Sequence, residues 1–166
     1  TSIKPFDPIF DRLKHSFEPF DETENVMNGF KAANWCLQNE LYQQAITIFH
    51  ENITTYLCHK IDGFDWHKIQ YRDVITTAFA IHYYNLPEEE WKLPKGDSDE
   101  VKKRIKIAIQ DPLLIKLATD YKSMNDLRND INHSGMNDKP LKPARLKMKI
   151  VELTNSIINT ITEYVD

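Results

Sequence analysis

The sequence predicts an all-α protein, a bundle of about six to seven helices, and three observations carry that expectation. Apolar residues recur at alternating steps of three and four through seven segments, the period of a helix with one buried face. Only four glycines occur in 166 residues, and alternating β-branched runs are few, which argues against a sheet. Aspartate and proline stand at the heads of the periodic segments, where helices begin. With 41% hydrophobic residues, the chain is long enough for one domain with its own core.

The elements follow in order. Asp7-Pro8 reads as an N-cap with proline at the first helical position, and Phe6, Ile9, Phe10, Leu13, Phe17 and Phe20 follow at helical spacing. Residues 1–20 read as a connecting helix docked on a neighbour or, equally, as the first helix of the domain itself; residues 21–166 carry the main domain. Asp21-x-x-Glu24 resembles a capping box, with Val26, Phe30, Ala33 and Leu37 as the buried face behind it. After a break near Asn39, Leu41, Ala45, Ile48, Phe49, Ile53, Tyr56 and Leu57 form the cleanest stripe, closed by Gly63. These two segments are antiparallel or nearly collinear. Residues 69–84 are helical, with Ile75, Ala78, Phe79 and His82 on one side. Leu86 to Asp97 holds Pro87, Pro94, Gly96 and three consecutive glutamates, the composition of a surface loop. Asp97-x-x-Glu100 caps a helix with Val101, Ile105 and Ala108 inward; Asp111-Pro112 starts the next, and Pro143 the last. That last helix carries Leu146, Ile150, Leu153, Ile157, Ile161 and Tyr164 on one face.

Composition excludes several classes. No apolar run spans a bilayer and the start lacks a signal-peptide pattern, so no membrane association is expected. Cys36 and Cys58 are too few for a disulfide framework and fit buried thiols in a reducing cytoplasm. A net charge of −4 is wrong for a protein that coats nucleic acid, although one basic cleft remains compatible with it. The chain opens on Thr1 rather than Met, which fits a processed product or an excised piece of a larger protein. No His-Glu-x-x-His, Cys-x-x-Cys or paired acidic motif appears, so no metal or other cofactor is expected. His50-Glu51, Cys58-His59 and His67 read as structural or surface residues.

One stretch breaks the apolar logic. Leu114, Leu117, Tyr121 and Met124 form a core stripe whose next places are Arg128 and Ile131. A cation therefore stands where a core side chain is expected, and burying it alone costs several kcal/mol. It needs either a carboxylate, with Asp130 or Asp126 nearest in sequence, or an anion bound in a concave place. Asn132 follows one turn later, about 40° round the helix, and His133 about 140° from the arginine. Gly135 looks like the residue that ends the helix, leaving His133 in its last turn. A guanidinium, an imidazole that moves protons near neutral pH and two amides suit phosphoryl-transfer chemistry.

Arg128 to His133 resembles the R-x4-6-H signature of the HEPN superfamily, all-helical domains that are often metal-independent ribonucleases; Asn129 after the arginine is also typical. Ala33-Asn34-Trp35-Cys36-Leu37 and Tyr42-Gln43-Gln44-Ala45-Ile46-Thr47 are similar to the HEPN region of ancillary ribonucleases of type III CRISPR systems. The resemblance covers residues 20 to 165. It implies a homodimer in which two motifs form one composite cleft for single-stranded RNA. In that cleft Arg128 would stabilise the phosphorane and His133 would act as general base or acid. Asn129, with Asn132 as the weaker candidate, would orient a phosphate oxygen or the arginine, and Asp130 would hold Arg128 ready. It also implies a parent protein with an upstream CARF-type sensor domain that binds cyclic oligoadenylate.

Beside the motif, Lys139, Lys142, Arg145, Lys147 and Lys149 form a basic run. It reads as a solvated helix face or as a lane for a phosphate backbone, with Lys139, Lys142 and Arg145 as the RNA contacts. Trp35 and Tyr42 read as core or interface residues rather than base platforms. Two other functions remain open: a non-catalytic HEPN-like module for dimerisation, RNA binding or toxin–antitoxin pairing, and a helical protein whose Arg128 is only a structural ion-pair partner. Because no metal site is evident, the expected nucleophile is the RNA's own 2′-hydroxyl, leaving a 2′,3′-cyclic phosphate.

Overall fold

In a computed structural model, residues 26–132 and 142–164 are described, and they form an all-α bundle with no strand among them. The helices are α1 (Met27–Gln38), α2 (Tyr42–Lys60), α3 (Ile69–Tyr84), α4 (Ser98–Ala108), α5 (Pro112–Asn132) and α6 (Pro143–Thr162). The segment before residue 26, including the Phe6–Phe20 stripe and the Asp21/Glu24 capping pair, lies outside the described residues.

The caps explain where several helices start. Asp97 accepts from the backbone N–H of Asp99 and of Glu100, at 3.1 and 2.9 Å. Asp111 does the same for Leu113 and Leu114, at 2.9 and 3.0 Å, so the proline at position 112 enters a helix already held at its head. Each such cap is worth about 1 kcal/mol. At the far end of α3, Asn85 takes a left-handed backbone (φ 49°), a conformation asparagine adopts more readily than most residues.

α1 and α2 form an antiparallel hairpin, which decides between the two arrangements the sequence allows. Phe30 meets Phe49 edge to face with ring centroids 5.2 Å apart, and Gly29 approaches Asn52 so closely that a Cβ there would collide with it. The turn runs through Glu40 at φ 60°. α2 and α5 then lie antiparallel at the centre of the bundle. Gln43 bonds Asn132 (3.2 Å) at one end, and Thr54 meets the Tyr121 hydroxyl (3.2 Å) towards the other.

The main core joins Ile46, Phe49, Ile53 and Leu57 of α2 to Leu114, Leu117 and Met124 of α5, with Ile150 and Ile157 of α6 closing it. These α5 residues are the ones its stripe predicts. α2 is buried further round than its stripe predicts, taking in His50, Asn52 and Thr54. A second, smaller core gathers Val74, Ile81, Val101 and Ile105 between α3 and α4. Leu86, Trp91 and Leu93 pack on it, so the acidic loop is anchored rather than free; the Trp91 indole donates to the Leu86 carbonyl (3.0 Å). Cys36 and Cys58 are both buried, and burial pushes the Cys58 thiol up to about 12. No helix among the described residues is long and apolar enough to cross a membrane.

Candidate active site around Arg128

Arg128 is placed by α5 one turn beyond the fully buried Met124 and keeps 25% of its side chain exposed. The apolar stripe carries it to the edge of the core, where α2 supplies the answer to its charge. Its Nη1 lies 3.1 Å from Glu51 Oε1 and 3.0 Å from His50 Nδ1. Glu51 in turn holds Arg72 of α3 through Oε2 at 2.8 Å, and Arg72 also donates to the Thr55 hydroxyl. One carboxylate thus ties two guanidinium groups together across three helices.

A carboxylate bound to Arg128 comes from another helix. Asp126 is taken by Lys122 one turn earlier (2.6 Å), and the bond to Arg128 comes from Glu51, 77 residues away. Asp130 lies beside the open groove between α5 and α6. The Glu51 carboxyl is held down to about 2, first by His50 and then by Arg72, while partial burial works the other way. Flanked by two permanent cations, it stays ionised whichever ring nitrogen of His50 carries the proton.

His50 is only 5% exposed and its ring stacks on Tyr121, centroids 4.5 Å apart. Its Nδ1 is 3.0 Å from an arginine nitrogen and 3.5 Å from Glu51, and it cannot accept from one while donating to the other. A guanidinium only donates, and the shorter contact is the one of good hydrogen-bond length. Nδ1 accepts from Arg128 in the tautomer that carries its proton on Nε2, and donates to Glu51 when the proton is on Nδ1. His50 Nε2 and Arg128 Nε are both buried with no hydrogen-bond partner among the described residues. Arg128 Nη2 makes no hydrogen bond to a described residue.

Both residues line a cavity of about 180 Å³ between α3 and α5, walled by Phe79, Tyr121, Tyr83 and Tyr84. Tyr121 is nearly parallel to Phe79, 3.9 Å between ring centroids and 10° between planes, so its position is fixed from both sides. Burial pushes the Tyr121 hydroxyl up, which keeps it a neutral donor or acceptor.

Of the other expected residues, Asn132 is exposed at the end of α5 and Asn129 is exposed on it. The Asn132 amide oxygen accepts from Gln43 instead of reaching Arg128. Lys142 and Arg145 are exposed at the head of α6. Lys147, also in the basic run, is taken by Glu40 (3.0 Å) and lies over the Tyr42 ring. Trp35 is 38% exposed, at the margin of the core rather than in it. His133 and Lys139 lie outside the described residues. No group of three or more His, Cys, Asp or Glu side chains among the described residues is placed to hold a metal ion.

By sequence alone His50-Glu51 reads as no more than structural or surface, and Arg72 does not stand out. A signal was present: His50 falls on the line of Ile46, Ile53 and Leu57, so a titratable ring was directed into the bundle. No protein-family model, curated protein or solved structure matches the chain.

Proposed function

We propose that the chain is a metal-independent endoribonuclease domain of HEPN type, acting on single-stranded RNA through 2′-hydroxyl attack. The observation that supports this best is the state of Arg128. One of its terminal nitrogens is fixed by His50 and Glu51, while its Nη2 makes no hydrogen bond to a described residue, and the side chain borders an open cavity. An arginine clamped at one corner presents its remaining donors in a set direction, which suits stabilising charge that grows on a phosphate. His133, four residues beyond Asn129, is the proposed general base or acid. On the same reading two copies pair their motifs into one cleft, and the parent protein carries a CARF-type sensor for cyclic oligoadenylate in the setting of CRISPR-linked antiviral defence.

The reading is tested with an RNA carrying a single 2′-deoxy sugar at the preferred cut, in excess chelator. Cleavage stops at that sugar and continues at neighbouring sites, with 2′,3′-cyclic phosphate ends, and a His133→Ala variant is inactive. Cutting at the deoxy position, or loss of all activity on chelation, overturns it.

A further inference from the structure

We propose that Arg72 is a positioning residue for Arg128, acting through Glu51 rather than on RNA itself; this rests on the ribonuclease reading above. Glu51 stands on α2 with about half of its side chain exposed, and an exposed glutamate ordinarily samples many rotamers. Left to itself it would give Arg128 no fixed direction.

Arg72 removes that freedom. Its Nη2 donates to Glu51 Oε2 at 2.8 Å and to the backbone carbonyl of the same residue at 3.2 Å. Its Nη1 donates to the Thr55 hydroxyl, which in turn donates to that carbonyl at 3.0 Å. One guanidinium from α3 therefore grips Glu51 at its backbone and at one carboxylate oxygen. Only 19% of the Arg72 side chain is exposed, so this is the more enclosed end of the chain of contacts. The oxygen left over, Oε1, is the one that meets Arg128 Nη1 at 3.1 Å.

Charge gives the arrangement its consequence. One carboxylate shared between two guanidinium groups leaves one positive charge uncompensated beside the cavity. Lys122, the next cation along α5, is already matched by Asp126. A carboxylate released by Arg72 would be free to turn both oxygens to Arg128, in the two-bond fork that arginine and carboxylate favour. Arg128 would then be neutralised, with both terminal nitrogens engaged. Arg72 thus fixes where the carboxylate stands and withholds part of its charge from Arg128. A group that stabilises charge growing on a phosphate needs both a set direction and a charge of its own.

The test compares wild type with Arg72→Gln, Arg72→Lys and Arg72→Gln combined with Arg128→Lys. It reads single-turnover cleavage over a range of RNA concentrations, thermal denaturation, and 15N NMR of the Arg128 guanidinium without RNA. Arg72→Gln lowers the rate at saturating RNA at least about tenfold and moves the half-saturating concentration by less than about twofold. Arg72→Lys, which keeps a cation on Oε2, recovers part of that loss. With lysine at position 128 the same Arg72 substitution costs less than about twofold, because the fork it positions is gone. The Arg128 guanidinium signals shift in Arg72→Gln. Thr55→Val removes only the hydroxyl that Arg72 Nη1 holds; it lowers the rate in the same direction and carries the test if Arg72→Gln does not fold. Variants that melt lower yet cleave at the wild-type rate, an equal loss in both backgrounds, or Arg128 signals that do not move overturn the assignment. The two proposals fail separately. Cleavage indifferent to Arg72 removes the positioning role and leaves the nuclease, whereas Arg128 signals that follow Arg72 in a protein that cuts no RNA remove the nuclease and leave the arrangement.

Discussion

Arg104 and Arg128 are equally exposed, at 24% and 25% of their side chains, yet they are held in opposite ways. Arg104 donates through Nη1 to the Gly63 carbonyl (2.7 Å) and through Nη2 to Glu100 (2.7 Å). Its guanidinium also lies over the Tyr71 ring, 4.5 Å from the centroid. Both terminal nitrogens are engaged by a backbone oxygen and a carboxylate, and one face by an aromatic ring. Among the described residues Arg128 is engaged at Nη1 alone, next to a cavity. Exposure does not distinguish the two arginines; what their remaining donors face does.

The sharpest way to break this comparison is to truncate both. Arg128→Ala lowers RNA cleavage at least about a hundredfold, the scale of one lost charge-stabilising donor in an enzyme site. Arg104→Ala leaves cleavage within twofold and lowers the melting temperature. Single-turnover kinetics and thermal denaturation on the same preparations check both. Equal loss of activity in the two variants would erase the distinction drawn here.

Replacing each arginine by lysine sharpens the contrast. Arg128→Lys keeps the charge but loses the planar fork that serves His50, Glu51 and a phosphate together. Cleavage falls at least about tenfold, equivalent to ~1.4 kcal/mol, while the fold survives. If Arg128 were a structural ion-pair partner, the lysine variant would retain activity and lose only thermal stability.

Why one arginine was legible and its setting was not follows from what sequence spacing encodes. Arg128 stood out because Leu114, Leu117, Tyr121 and Met124 set up a period that it interrupts. The same periodicity located six described helices, and Asp97 and Asp111 marked two of their starts. Local spacing carries no information about partners on another helix. Glu51 reaches Arg128 across 77 residues and Arg72 across 21, so the nearer Asp126 and Asp130 looked like the natural candidates. The cavity was invisible for the same reason: it exists only once Phe79 of α3 stacks against Tyr121 of α5.

The carboxylates beneath the two arginines differ as well, and pH separates them. Glu51 is held far below its ordinary value of 4.5, to about 2. A lowered carboxylate stabilises the fold fully above the ordinary value and loses that contribution as pH falls through the folded one. Wild type is therefore more stable than Glu51→Gln by a constant amount between pH 5 and 7. The gap narrows below about pH 4.5 and is nearly closed towards pH 2, as read by denaturant midpoints across that range. A gap that widens on acidification would mean that Glu51 is not the ionised tie between Arg72 and Arg128.

The smallest effect belongs to Glu100. It meets Arg104 one turn along α4 with half of its own side chain exposed, and such i,i+4 pairs contribute about 0.3–0.5 kcal/mol. Arg104 does not depend on it, because the Gly63 carbonyl and the Tyr71 ring remain. Glu100→Gln also keeps the backbone N–H that Asp97 caps, so the start of α4 is untouched. The variant loses no more than about 0.5 kcal/mol, and 1 M salt, which shortens the screening length to about 3 Å, removes most of the difference. Glu51→Gln, by contrast, leaves Arg72 and Arg128 facing each other across a neutral amide, with their mutual repulsion no longer offset. Its loss exceeds that of Glu100→Gln in urea midpoints at low salt and persists better in high salt, because Arg72 and His50 are the more enclosed partners. Equal losses in the two variants, equally erased by salt, would place the Glu51 tie among ordinary surface ion pairs and remove the reason for treating Arg128 as poised.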